Sequence, residues 1–409
     1  MDVLYARCAG LDVHKETVVA CVRLAQGGAV HTEVRTYRTT TAELLALGDW
    51  LTASGCTHAV LEATGVYWKP VWHVLEATVE LVLANAHHVR AVPGRKSDVN
   101  DATWLAGLLA HGLVRGSFVP PPAVQELREL TRTRKQLVRE LGQHVQRVEK
   151  VLESANIKLG VVLSDVTGVS GRRILAALVA GETDAARLAA LADSRVRATP
   201  QALQEALHGR ITAHHRFLLR EHLATIDHLH ARLAAFDGQI AVVLEPFRRA
   251  TEHLVTIPGV SQLTAQVLVA EIGIDMTRFP TVGHLISWAG LCPRLDESAG
   301  HRRSRRVRKG APWLKTALVQ AAWAATRVRG SYLQAQFRRL KARRGAMRAA
   351  VAVAASILTA AYYMLRDDVP YRDLGGAYFE QRDKAKLARR LARRLTDLGY
   401  PVQLAPMPA

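Results

Sequence analysis

Four carboxylates in the first part of the chain lie at the ends of predicted strands and at the start of a predicted helix, positions that are exposed in a folded protein. Asp12 and Glu62 each close a short apolar run that has the pattern of a strand. Asp98 and Asp101 are three residues apart at the predicted start of a helix, so both project from one side of its first turn. If the two strands are neighbours, the four acids meet, and their mutual repulsion favours a hard divalent cation, Mg²⁺ or Mn²⁺, bound through oxygen.

Such a cluster suits phosphoryl transfer. Two divalent ions about 4 Å apart stabilise both the attacking and the leaving oxygen of an in-line displacement at phosphorus. Taken singly, Asp98 could be a helix cap, Glu62 a surface acid and Asp12 a turn residue. Four acids at strand ends and a helix start, in a strongly basic chain, are hard to explain as independent accidents. The sequence therefore predicts a catalytic metal site.

The elements that must position these acids alternate between strand and helix patterns. Three hairpin-like strands come first, and helices and strands then alternate. This order is typical of a mixed α/β sheet and suits an RNase H-like fold. The predicted strands are 5–12, 17–24, 30–37, 59–61 and 80–84, and the predicted helices are 41–53, 66–77 and 97–110.

Three consecutive prolines at 120–122 mark a boundary, and the chain after them has mostly helical patterns. Two long helices are predicted, and the second has a seven-residue repeat typical of a coiled coil. The repeating residues are Leu219, Ile226, Leu233 and Ile240. The helices could pair within one chain or between chains of a dimer or tetramer. The predicted segments are 1–120, 121–250 (helical, coiled coil), 251–366 (mostly helical) and 367–409 (basic tail).

The charge of the chain implies a polyanionic partner. The sequence holds 55 Lys and Arg against 36 Asp and Glu, a formal net charge of +19, and nucleic acid is the default polyanion. Residues 301–366 contain sixteen Lys or Arg and no acid, whereas a solvated surface usually mixes both signs. A second basic group lies on one side of a short tail helix. Its members are Arg389, Arg390, Arg393 and Arg394.

The sequence predicts a cytoplasmic protein with no membrane partner. The longest apolar run, 349–365, is rich in Ala and contains Ser356 and Thr359, which favours a buried helix over a membrane-spanning one. No secretory signal pattern opens the chain. The four cysteines are scattered, without a zinc-binding pair or a disulfide framework, which fits a reducing compartment.

Seven short segments, taken in order, resemble the DEDD transposases of the IS-one-ten type, insertion-sequence enzymes whose N-terminal domain is RuvC-like. The ordered set covers both ends and most of the length. The segments are 10–15 (Gly-Leu-Asp-Val-His-Lys), 61–67 (Leu-Glu-Ala-Thr-Gly-Val-Tyr), 96–102 (Lys-Ser-Asp-Val-Asn-Asp-Ala), 258–260 (Pro-Gly-Val), 289–293 (Ala-Gly-Leu-Cys-Pro), 297–300 (Glu-Ser-Ala-Gly) and 308–310 (Arg-Lys-Gly).

The resemblance implies a bacterial recombinase in which a serine of the C-terminal domain attacks DNA phosphate beside the RuvC-like metal site. Ser298 matches that serine, and Ser304 is the rival candidate. Family members often carry paired glycines after the serine, whereas Ala299 occupies one such place here. The basic residues that follow are expected to bind nucleic acid. They are Arg302, Arg303, Arg305, Arg306, Arg308 and Lys309.

The resemblance also implies a structured guide RNA, transcribed from the element, that pairs with donor and target DNA. Backbone binding by Lys and Arg supplies affinity without sequence, which is compatible with such guidance and with a nucleoid-associated protein. Two features stay open. Trp313, Trp323 and Tyr332 could stack on bases or belong to the core. The turn at 258–260 could bind phosphate through its N–H groups or simply begin a helix.

Other classes of protein carry similar acids. A DEDD exonuclease has Asp-x-Glu at its first site and a His or Tyr shortly before its last Asp. Here Val13 and His14 follow Asp12, and Lys96 and Ser97 precede the last acids, so this class is excluded. A RuvC-like junction resolvase or nuclease would not need the serine. A non-enzymatic nucleic-acid-binding scaffold would tolerate loss of the carboxylates, so both remain alternatives.

Overall fold

The computed structural model of the protein describes residues 3–63, 65–85, 89, 101–293, 296–304, 306–382 and 384–403. By its internal contacts the chain divides into two compact units, residues 1–119 and 120–409. The predicted segments that follow residue 120 all lie in the second unit.

The first unit is built on a five-stranded mixed sheet with the order β3-β2-β1-β4-β5. The first three strands form an antiparallel meander, and β4 and β5 continue the sheet in parallel with β1. The predicted mixed α/β sheet is confirmed. Its elements are β1 (Arg7–Val13), β2 (Thr17–Gln26), β3 (Ala29–Arg38), α1 (Thr41–Ala53), β4 (His58–Glu62), α2 (Trp68–Leu75), β5 (Glu80–Ala84) and α3 (Asp101–Ala110).

Helices cover both faces of this sheet. Leu11 and Val13 of β1 point into a core that includes Leu47 of α1 and residues of α2. Cys8, of opposite parity along the same strand, packs with Leu105 of α3. Because side chains alternate along a strand, α3 covers one face of the sheet while α1 and α2 cover the other.

The second unit is mostly helical, as predicted, and contains one short hairpin within its described residues. Its helices and strands are α4 (Pro122–Ser154), α5 (Leu159–Val162), α6 (Val169–Ala180), α7 (Ala185–Ala190), α8 (Pro200–Leu207), α9 (Ala213–Leu244), α10 (Arg248–Val255), α11 (Gln262–Ile272), α12 (Val282–Trp288), β6 (Asp296–Ser298), β7 (His301–Ser304), α13 (Pro312–Ala325), α14 (Tyr332–Arg344), α15 (Ala346–Asp367), α16 (Tyr378–Arg382) and α17 (Lys384–Asp397).

The two long helices, α4 and α9, pack against each other in opposite directions. Leu127 near the start of α4 shares a core with Ile240, and Leu152 near its end shares another with Leu219. All four repeating residues predicted for α9 are buried. The pairing left open by the sequence therefore occurs within the chain, and the repeat gives no argument for a dimer or tetramer.

A buried carboxylate fixes the start of α4 to the C-terminal core. Glu271 of α11 is 1% exposed and accepts two hydrogen bonds from the Arg132 guanidinium, at 2.8 and 2.9 Å. Arg128, one turn earlier, donates to the backbone carbonyls of Ala270 and Glu271. Burial lowers the pKa of Arg128, the nearby Glu271 carboxylate raises it and Arg132 lowers it further.

The long apolar helix α15 lies in the core of the second unit. By length and composition it could cross a membrane. However, Val353, Ile357 and Leu358 are fully buried and pack in the same core as residues of α11 and α13. The buried helix predicted over 349–365 is confirmed.

Candidate active site and nucleic-acid interface

Asp12 and Glu62 lie next to each other at one edge of the first sheet. β1 and β4 are parallel, and their register pairs Leu11 with Leu61, so the following residues are the two acids. Val60 packs with Leu105 of α3. By the alternation of side chains, Glu62 and Asp12 therefore stand on the α3 face of the sheet, at the carboxyl ends of neighbouring strands.

The third described acid, Asp101, begins the helix that packs over this edge. A Cβ placed on Gly10 would lie 2.1 Å from the Ala102 carbonyl oxygen and 2.5 Å from the Ala106 nitrogen. The first turns of α3 therefore rest directly on β1, and the Cys8 thiol donates to the Ala106 carbonyl at 3.5 Å. Since Ala106 covers Cys8, the helix begins towards the Asp12 end of the strand. Asp101 thus belongs to the same edge as Asp12 and Glu62.

Asp12 has a partner that the sequence analysis did not identify. The Nε2 atom of His14 lies 3.1 Å from Asp12 Oδ2, within hydrogen-bonding distance. The Asp12 side chain is 24% exposed and that of His14 is 60% exposed. His14 stands two residues after the acid in the segment 10–15, just beyond the end of β1, so this spacing was the one signal in the sequence.

The described side chains do not by themselves form a metal-binding cluster. Among these residues, no group of three or more His, Cys, Asp or Glu side chains is placed to hold a metal ion. The fourth predicted acid, Asp98, lies outside the described residues. The donor set at the edge is nevertheless chemically suited to a hard cation, because Asp12, Glu62 and Asp101 offer carboxylate oxygens.

Ser298 ends the first strand of a hairpin that the sequence analysis did not predict. It pairs with His301, and the two residues between them form the turn. Both adopt left-handed conformations, Ala299 with φ +50° and Gly300 with φ +76°. The side chain of Ser298 lies outside what the structure describes. The backbone thus places this residue at a hairpin tip.

The rival Ser304 ends the second strand of the hairpin. Its hydroxyl oxygen accepts a hydrogen bond from the backbone N–H of Arg306 at 3.2 Å. Arg306, Arg308 and Lys309 are exposed. Arg302 and Arg303 lie on β7 with side chains that are not described, and Arg305 lies outside the described residues.

The basic residues after the hairpin are held against the segment that precedes it. A Cβ on Gly290 would lie 2.9 Å from the Arg308 carbonyl oxygen, so only glycine permits this approach, and its φ of +70° also favours glycine. Pro293 and Val307 form an antiparallel bridge. Lys315 donates from Nζ to the same Arg308 carbonyl at 3.0 Å. These contacts hold the end of the basic run, residues 302–309, next to the start of α13.

A cluster of cations surrounds Trp313 in the first turn of α13. The charged groups of Arg132, Lys135 and Arg139 of α4 lie 5.7, 5.7 and 5.2 Å from the ring centroid. Burial lowers the pKa of Lys135, and the neighbouring Arg139 lowers it further, while Glu271 raises it. Sequence reasoning missed Lys135 and Arg139, because they meet Trp313 only through the packing of α4 on the C-terminal core.

Two features left open by the sequence have structural roles. Gly259 has φ +87°, and a Cβ there would lie 2.4 Å from both the Ala321 oxygen and the Ala325 nitrogen. The glycine of the 258–260 turn is therefore required by close packing against α13. Tyr332 stacks on Phe379 with ring centroids 5.1 Å apart, so this aromatic residue has a protein partner.

Comparison with known proteins gives the same family for two separate parts of the chain. A family model described as a transposase of the DEDD, IS110 type matches residues 9–157, and one described as the transposase IS116/IS110/IS902 family matches residues 251–338. A relative, the insertion element IS110 uncharacterized 43.6 kDa protein of Streptomyces coelicolor, is 34% identical over 102 residues. This stretch is 25% of the present chain and 25% of that relative. Since the two models together cover more than half of the sequence, the chain belongs to the IS110 family of insertion-sequence transposases.

Proposed function

We propose that the protein is a DNA transposase, a recombinase that cleaves and exchanges strands of an insertion sequence. The observation that carries this proposal is the edge of the first sheet, where Asp12 and Glu62 end neighbouring parallel strands and Asp101 begins the helix packed over them. The strand order β3-β2-β1-β4-β5, with an antiparallel meander continued by parallel strands, supports an RNase H-like (RuvC-like) fold for this unit.

The residues that would hold a divalent ion, Mg²⁺ or Mn²⁺, are Asp12, Glu62, Asp98 and Asp101. When bound, such ions neutralise charge and orient oxygens around a phosphorus atom. The role of the polypeptide is to keep the carboxylates at one edge of the sheet. Gly10 supports this by letting α3 rest on β1, and the hydrogen bond between His14 and Asp12 restrains the Asp12 side chain.

We assign the nucleophile to Ser298. Its hydroxyl oxygen would bond to a DNA phosphorus while the bond from that phosphorus to one deoxyribose oxygen breaks. The products are a serine–DNA phosphodiester and a free deoxyribose hydroxyl, which takes up the proton lost by the serine. The position of Ser298 at a hairpin tip, followed by a basic run, supports the assignment. Ser304 is the weaker candidate, because its hydroxyl already accepts a hydrogen bond from its own loop.

The basic run would bind the phosphates of donor and target DNA, and the cations around Trp313 extend the same positive surface. It consists of Arg302, Arg303, Arg305, Arg306, Arg308 and Lys309. A structured guide RNA would then select the sites by base pairing. The same proposal includes a coiled-coil character of the α4 and α9 pair, a homo-oligomer and a place in the bacterial nucleoid. It also includes the division of the chain into four segments, 1–120, 121–250, 251–366 and 367–409.

Two variants test the two halves of this proposal separately. Asp12→Asn is expected to abolish strand exchange between element ends and target while nucleic-acid binding stays near the wild-type affinity. Ser298→Ala is expected to abolish the covalent protein–DNA adduct on a denaturing gel. Asp49→Asn, which removes an exposed aspartate from α1 on the opposite face of the sheet, should change neither.

Each alternative function gives a different result in these assays. Full strand exchange by Asp12→Asn would remove the metal site from the reaction. Cleavage without any adduct, equal in the wild type and Ser298→Ala, would favour a RuvC-like nuclease or junction resolvase. Binding with no chemistry in the wild type, under conditions that support related transposases, would favour a scaffold.

A further inference from the structure

A groove separates α14 from the C-terminal tail of the chain. Its volume is about 650 Å³, and it is lined on one side by α14 and on the other by α16 and α17. We call it the tail groove. Its tail wall lies beyond residue 338, where the second family match ends. None of the residues that line the groove belongs to the hairpin or to the sheet edge to which the proposed function assigns the chemistry.

Positive charge dominates the walls of the tail groove. Among its described lining residues there are five cations and one acid, Glu380. The cations are Arg338, Arg339 and Arg343 of α14 and Lys386 and Arg390 of α17. Within the described part of the chain, no ion pair is formed by Arg338, Arg343, Lys386 or Arg390. Two helices thus face each other with charges of the same sign.

The buried polar side chains on the floor of the groove have hydrogen-bond partners within the protein. Ser331 and Gln334 are buried, Ser331 donates to the Val328 carbonyl, and Gln334 donates to the Thr326 carbonyl. The Phe379 ring is covered by Arg339, whose guanidinium lies 5.1 Å from its centroid. Four of the exposed cations along the walls make no ion pair in the described part of the chain, which favours an extended anion as the ligand of the groove.

The spacing of the cations fits a chain of phosphates better than a single small anion. At 1.5 Å rise per residue, Arg338 and Arg343 stand about 7.5 Å apart along α14, and Lys386 and Arg390 about 6 Å apart along α17. A DNA strand carries one charge for each roughly 3.4 Å of helix axis, so each wall spans about two phosphates. Exposed guanidinium groups can also bind phosphate through two parallel hydrogen bonds.

We infer that the tail groove is a binding site for the phosphodiester backbone of a nucleic acid, held between α14 and α17. The bound phosphates offset the repulsion between the two helices and so draw the tail onto α14. The inference shares only its class of partner with the proposed function, because none of its residues belongs to the acids, the serine or the basic run.

The test compares two triple variants of the full-length protein. Arg338→Gln, Arg343→Gln and Arg390→Gln remove three cations of the groove. Lys341→Gln, Arg344→Gln and Arg393→Gln remove the same charge from the same two helices at exposed positions outside the groove lining. Affinity is measured against salt concentration for duplex DNA, single-stranded DNA and RNA of one sequence. For the preferred nucleic acid, the magnitude of the slope of log K against log salt should fall by about 2 to 3 in the groove variant and by clearly less in the control.

Each result supports or overturns the inference. Equal slopes in the two triple variants, for all three nucleic acids, would overturn it. A change of oligomeric state in sedimentation, with unchanged slopes, would assign the groove to a protein contact instead and would also overturn it. The single variant Arg390→Gln repeats the comparison if the triple variant unfolds. Asp12→Asn is expected to keep the wild-type salt slope, because Asp12 does not line the groove. Failure of the catalytic proposal would therefore leave the test of the groove unaffected.

Discussion

At the scale of single residues, the turn beside Ser298 contains a local strain. Ala299 has φ +50° and Gly300 has φ +76°, so both central residues of the two-residue turn are left-handed. Two-residue hairpin turns of this hand prefer Asn-Gly, Asp-Gly or Gly-Gly. An alanine in this region costs about 1 kcal/mol relative to a residue without Cβ. The hairpin that would present the nucleophile is therefore held in a less favourable conformation than a glycine pair would give.

We predict that Ala299→Gly stabilises the hairpin. Removing the Cβ relieves the strain, and the larger entropy of glycine in the unfolded chain offsets part of the gain, so the net effect is about 0.5 kcal/mol. Hydrogen–deuterium exchange of the amides at 296–304 should slow by roughly twofold, since 1.4 kcal/mol corresponds to tenfold. Ala299→Val, which adds a β-branch at the same position, should speed exchange. Equal exchange in both variants would show that the turn is not strained.

Gly10 and His14 show where sequence reasoning about residues stops. Asp12 and Glu62 could be identified because each closes an apolar strand, a property of a few neighbouring residues. The role of Gly10 depends on Ala102, which is distant in the sequence and occupies the space of a Cβ. His14 was quoted within the segment 10–15, but whether its ring reaches Asp12 depends on the path of the chain after β1. Contacts of this kind follow from tertiary packing.

At the scale of elements, two ion pairs join α4 to other helices, and the two pairs differ greatly in how far their carboxylates are buried. The Glu271 side chain is 2% exposed and is held by Arg132, whose side chain is 38% exposed. Arg134 pairs with Asp237 of α9, whose carboxylate side chain is 51% exposed. Removing one partner of a buried pair leaves a charge without compensation, whereas an exposed pair exchanges its partner for water.

Glu271→Gln is therefore expected to destabilise the second unit by about 3 kcal/mol, at the lower end for buried pairs because Arg132 can hydrate. Asp237→Asn, the matched control whose partner Arg134 lies on the same helix α4, should cost less than about 1 kcal/mol. Urea denaturation followed by circular dichroism measures both. A comparable loss in the two variants would mean that the buried pair does not fix α4 to α11.

The helices of the second unit could be predicted from the sequence, whereas its hairpin could not. The seven-residue repeat from Leu219 to Ile240 predicted a buried face of α9, because periodicity reports one face of a helix directly. It could not choose the partner, which the structure finds in α4 of the same chain. The strands β6 and β7 have three and four residues, too few for an alternating pattern. The cations at Trp313 all come from α4, and their meeting with a ring of α13 depends on how the two helices pack.

At the scale of the whole molecule, the two units differ sharply in charge. Residues 1–119 hold 10 Lys and Arg against 11 Asp and Glu, which leaves 45 and 25 for residues 120–409. The entire positive excess of the chain therefore belongs to the second unit. The near-neutral first unit contains the acids proposed to hold metal, where a large positive potential would compete with cation binding. Affinity for polyanions is correspondingly concentrated after residue 120.

The segment 1–119 should fold alone and should bind nucleic acid weakly. It has its own cores on both faces of the sheet, with Leu11, Leu61 and Leu105 buried. We expect a cooperative urea transition with a stability of about 5 kcal/mol or more. Leu61→Asp, which places a charge in that core, should remove the transition. Because few cations remain, duplex affinity should be at least about tenfold weaker than that of the full chain, with a much smaller salt slope. A fragment that folds and keeps the full salt slope would place the nucleic-acid surface on the first unit, against the distribution of charge.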